Sequence, residues 1–117
     1  MIFLVELDHV KPSVAPTPEA GQAFIDRIIL PTLARAEALH AEKKILAGGP
    51  VVGRIALLFI VEAVSPEEVD RIVSTLPLWS LSEARVTPLI TFMDRRDHVQ
   101  SILNNLKQDE SRHPASR

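Results

Sequence analysis

The chain has 117 residues, 46% of them hydrophobic and 24% charged, with a formal net charge of -2. That size suits one domain with one core, and the balance of charge leaves no basic footprint for nucleic acid or an anionic membrane. The sequence contains no cysteine, which excludes disulfides, thiolate metal sites and a cysteine nucleophile.

The start, Met1 to Leu7, is apolar but has no positive leader and soon meets Glu6 and Asp8. It reads as neither a signal peptide nor a membrane span, and cytoplasm is the default expectation. Ile2 to Leu7 is rich in β-formers and predicts a first strand, followed by a loop at Lys11-Pro12 and Pro16. Thr17-Pro18-Glu19 combines a capping residue, a proline at the first helical position and a first-turn acid, the signals of a helix start. Phe24, Ile25, Ile28, Leu33, Ala36 and Leu39 form its apolar stripe, and Pro31 predicts a kink or break near Leu30.

Ile45 to Gly53 reads as a short strand whose glycines permit bends. Gly48-Gly49-Pro50-Val51-Val52-Gly53 lacks the lysine and following helix of a phosphate-binding loop, so a bent hairpin is expected. Arg54 to Ala63 is the strongest strand, apolar on both alternating faces. Ser65-Pro66-Glu67-Glu68 has the form of a capping box and opens a second helix with Val69, Ile72, Val73 and Leu76 inward. After the turn at Pro77-Leu78-Trp79-Ser80, alternation from Ser82 to Phe92 predicts a last strand with one wetter face. Val99, Ile102, Leu103 and Leu106 then mark a tail helix.

The order is β-α-β-β-α-β, an α+β ferredoxin-like antiparallel sheet, with an extra C-terminal helix. The expected division is a domain over 1–96 and a helix with polar tail over 97–117. Two helices cover one face of such a sheet, yet the third strand is apolar on both. A second copy packed face to face, a dimeric α/β barrel, would cover the other. The tail helix folding back over its own sheet is the alternative.

Several segments resemble the muconolactone isomerase family. Met1-Ile2-Phe3 opens the first strand, Pro12 ends the connection after it, and Leu76-Pro77-Leu78-Trp79 is similar to the family's leucine-proline-leucine-aromatic turn. Gly53-Arg54 before the long strand and Ser65-Pro66-Glu67 occupy the corresponding places, and the likeness spans about residues 1–96. It implies a cofactor-free proton shift in an unsaturated lactone through a dienolate-like species, with neither redox cofactor nor metal. The chain departs from the family at Leu4 and Glu6, where polar histidine and lysine stand in the family, and at Gly48-Gly49-Pro50, where the family has a tryptophan-rich strand. Other catalysts on this scaffold, such as monooxygenases, dehydratases and YCII-like proteins, and a non-enzymatic ligand-binding or assembly role, remain alternatives.

A proton shift needs a base that can return its proton and a donor or cation to stabilise negative oxygen. Glu6 and His9 are the catalytic candidates: a carboxylate in an apolar strand is expected to be partly desolvated, and a histidine where the strand opens suits a proton shuttle. Asp8, two residues from Glu6 and on the same strand face, joins Arg54 and Trp79 as candidates for substrate binding. Arg54 could hold a carboxylate through paired hydrogen bonds, and Trp79 could wall a pocket. The structural alternatives are an edge carboxylate, a loop histidine, a surface ion pair and a packing tryptophan. His40 and Glu42 read as a solvated helix end, and His98 and His113 show no metal-ligand spacing. The expected partners are a small-molecule substrate and the protein itself as a homodimer or higher oligomer, with neither nucleic acid nor membrane.

Overall fold

The computed structural model describes residues 1–10 and 16–112. The expected loop at Lys11-Pro12 and the end of the tail, with His113, lie outside them. The strands are β1 (Ile2–His9), β2 (Ile45–Pro50), β3 (Ala56–Glu62) and β4 (Ser82–Leu89). They form one antiparallel sheet in the order β2-β3-β1-β4. This is the anticipated α+β ferredoxin-like arrangement, with β1 and β3 central.

Helix α1 (Pro18–Phe24) starts where the cap signals place it, the Thr17 hydroxyl accepting from the Ala20 N–H at 3.1 Å. Pro31 does not break the helix. A π-helical turn over Ile25–Ile29 leads directly into α2 (Leu30–Ala41), and Pro31 falls in the first turn of α2. The widened turn absorbs the proline's missing donor and ring, so the distortion lies just N-terminal to the predicted place.

Helix α3 (Pro66–Val73) carries the predicted capping box in a slightly extended form. The Ser65 hydroxyl accepts from the Glu68 N–H at 3.2 Å, and the Glu68 carboxylate reaches one residue beyond the cap to accept from the Val64 N–H at 3.0 Å. Val69, Ile72, Val73 and Leu76 are all buried. The turn after α3 is a 3-10 helix over Pro77–Leu81.

Strand β4 is shorter than its alternating pattern suggests, ending at Leu89 instead of Phe92. The reason is local: the Thr91 hydroxyl accepts from the Asp94 N–H at 3.0 Å and caps α4 (Phe92–Arg112), drawing Phe92 into the helix. Helix α4 runs through residue 96, so the expected boundary there falls inside one continuous element. Every residue of α4 is exposed, and the molecule measures 76 × 30 × 23 Å, so α4 does not fold back over the sheet.

The core lies between the helices and one face of the sheet. Phe3, Val5 and Leu7 from β1 meet Leu57, Phe59 and Val61 from β3, with Leu39 of α2 and the buried residues of α3 above them. At the edge, Gly48 has φ +125°, and a Cβ there would overlap the backbone of Leu58 and Phe59. The glycine thus lets β2 press against β3, which explains the bent hairpin better than any phosphate role.

Candidate functional site

The sequence brings chemistry to one end of the sheet. Asp8 pairs in register with Ala56 and Glu83, and His9 with Ser82. The end of β1, the turn before β3 and the 3-10 turn before β4 therefore converge. Gly53, at φ +91°, turns the chain so that Arg54 precedes β3, and the His9 N–H donates to the Ile55 carbonyl at 3.0 Å. There the Arg54 Nε lies 3.6 Å from an Asp8 carboxylate oxygen, with the two side chains 59% and 52% exposed. A pair this open contributes about 1 kcal/mol at most, and a guanidinium has five N–H donors, so Arg54 keeps capacity for another anion.

Beside Arg54 an apolar cleft of about 180 Å³ lies between the helical layer and the sheet, walled by Ile29, Leu33, Ile55, Leu57 and Leu78. Among the described residues Arg54 is the one charged residue that lines it. A second cleft of about 310 Å³ shares Leu33, Pro50 and Leu57, so the two form one groove along α2 and the β2–β3 edge, with Glu37 and His40 at the far end. The Thr32 hydroxyl, buried beside the first cleft, accepts from the Leu78 N–H at 3.0 Å. This bond ties α2 to the leucine-proline-leucine-tryptophan turn and holds the groove's width. The whole combination is an apolar slot with a cation at its rim, a shape suited to a small carboxylated molecule whose remainder is apolar.

The predicted residues divide between two faces. Successive strand residues alternate, so Glu6 and Asp8 lie on the face opposite the helices, whereas His9 points to the helical side, its ring 5.1 Å from that of Phe24. Glu6 is half-buried and stands opposite Leu58 and Arg85. The structure thus joins Asp8 to Arg54 and does not bring Glu6 and His9 together. Trp79 is 38% exposed, while its neighbour Leu78 is buried and walls the cleft. Sequence reading chose the conspicuous tryptophan and missed Leu78, Thr32 and Pro50. A threonine among the apolar positions of α2 was the available signal for Thr32; nothing local marked the other two.

Among the described residues no three of His, Asp or Glu gather in a way that could hold a metal ion. No described helix is long and apolar enough to cross a membrane.

A family model described as muconolactone delta-isomerase matches residues 1–95. A crystal structure of muconolactone isomerase superposes with a TM-score of 0.64 at 21% identity, covering 78% of this chain and 90% of that one. A 5-chloro-2-hydroxyhydroquinone dehydrochlorinase from Burkholderia phenoliruptrix, solved with 2,5-dihydroxybenzoquinone, superposes with a TM-score of 0.58 at 26% identity, covering 80% of this chain and 98% of that one. A comparison with curated proteins finds no match.

Proposed function

The chain belongs to the muconolactone delta-isomerase family, and from that premise we propose that it moves a proton within an unsaturated lactone or a related carboxylated compound, without a cofactor. The observation that carries this reading is Arg54 at the rim of the apolar cleft. The guanidinium holds the substrate carboxylate while the slot takes the ring. A base removes a proton from carbon, the electron pair spreads into the conjugated carbonyl as a dienolate, and the same base returns the proton at a different carbon. The substrate and product have the same atoms. His9, on the helical side of the sheet with its backbone N–H on the Ile55 carbonyl, is the base we assign to the reaction. Asp8 orients Arg54, and Trp79 borders the site from the 3-10 turn.

Glu6 fits the reaction through the assembly. Its face of the sheet also presents Leu4, Leu58 and Ile60, and these partly exposed apolar side chains favour cover by a second copy, as in a dimeric α/β barrel. In that dimer Glu6 would sit in a chamber between sheets. The catalytic unit of this proposal is residues 1–96, with 97–117 as an appendage.

The test is exchange of ring protons of muconolactone in deuterated water, followed by NMR without added cofactor. Exchange above the buffer rate is expected, and Arg54→Ala should raise KM far more than it lowers kcat. No exchange at high protein concentration would remove the proposal. The likeness to a dehydrochlorinase favours a second reading, base-assisted loss of HCl from a chlorinated hydroxyquinol, which chloride release from 5-chloro-2-hydroxyhydroquinone in a separate assay would distinguish.

A further inference from the structure

Helix α4 has 21 residues, all exposed, and leaves the sheet with its apolar stripe uncovered by any described residue. Val99, Ile102, Leu103 and Leu106 keep 51%, 45%, 43% and 60% of their surface in solvent. At 100° per residue these four fall on one side of the helix, and the residues continuing that side are charged with opposite signs at its two ends. Arg95 and Arg96 precede the stripe, and Asp109 and Glu110 follow it. The pattern reads the same from either end about a centre between Ile102 and Leu103, with the sign of the charge reversed.

From this charge complementarity we propose that α4 pairs with α4 of a second copy of this chain, antiparallel, about a two-fold axis beside Ile102 and Leu103. Val99 of one copy then lies against Leu106 of the other, while Ile102 of each copy meets Leu103 of the other. On the flanks Arg95 faces Glu110 and Arg96 faces Asp109 of the other copy, and the same pairs recur at the opposite end by symmetry. A parallel pair in register would instead place arginine beside arginine and acid beside acid, which costs energy wherever the charges are close. Arg96 already lies 3.6 Å from Asp97 within its own helix, but both side chains are about 70% exposed, so that contact offers little competition. The Thr91 cap sets the start of the helix and hence the length available to the pair. This contact is distinct from the sheet face and does not depend on the enzymatic reading.

The chain contains no cysteine, which gives a clean background for cross-linking. Two full-length variants, Val99→Cys and Leu106→Cys, carrying different tags, are co-expressed and oxidised mildly. The expected product is the mixed disulfide, at least tenfold above either homodisulfide, because like positions in the antiparallel pair are separated by about 10 Å along the axis. Arg95→Glu with Arg96→Glu in both chains should lower its yield at least tenfold, and adding Asp109→Arg with Glu110→Arg should restore it. A predominant Val99→Cys homodisulfide, absence of any cross-link, or indifference to the charge reversal would each overturn the proposal. Circular dichroism of every variant verifies that the helix remains formed.

Discussion

The two faces of the sheet are made by the same strands and have different fates. On the helical face of β1, Phe3, Val5 and Leu7 are buried; on the other, Ile2, Leu4 and Glu6 are half-covered and Asp8 is exposed. The covered face holds the fold together, because its apolar area is already removed from water within one chain. The open face carries Glu6 and Asp8 together with apolar surface that no described part of the chain covers. Alternation along a strand thus separates covered from open positions at intervals of one residue.

The largest test of that asymmetry is a pair of truncations. Leu7→Ala should cost about 2–5 kcal/mol of stability in urea denaturation, since it opens a cavity in a closed core. Leu4→Ala should cost far less at low protein concentration and act chiefly on association, read by light scattering. Equal costs in dilute solution would show that the faces do not differ as described. Next is Thr32→Val, which keeps the shape but leaves the Leu78 N–H without its acceptor. The expected loss is about 1–3 kcal/mol, measured by thermal and chemical denaturation. Ser65→Ala removes the cap of α3 and should cost about 1 kcal/mol, with Ser65→Asp retaining most of the stability. The smallest effect belongs to Asp8→Asn. On the open face its ion pair with Arg54 is so exposed that unfolding should shift by less than about 1 kcal/mol, whereas a shift of several would mean the pair is structural.

Local chemistry made much of the fold readable. Thr17 and Ser65 announce helix starts because a side-chain oxygen answers a nearby N–H, an interaction confined to three or four residues. The long apolar run announced β3 as a strand, and the structure sets it beside β1 in the middle of the sheet. The misplacements arose where two local signals competed: Thr91 claimed Phe92 for α4 despite the strand pattern, and a π turn accommodated Pro31 without a break. The site was less readable. Arg54 was recognised by its type beside a glycine, but Leu78, Thr32 and Pro50 line the groove only because α2, β2 and the 3-10 turn meet there.

Sequence order alone determined the antiparallel α+β arrangement, the caps of the principal helices and the apolar stripe of α4, since each rests on periodicity or on contacts between near neighbours. Tertiary structure decided that Glu6 and His9 occupy opposite faces, that Asp8 reaches Arg54 across 46 positions of sequence, and that an apolar groove opens beside that arginine. Such relations depend on strand register and on how helices lie over the sheet. Those are set by packing among residues distant in the chain, where a single residue's type carries little information about its neighbours in space.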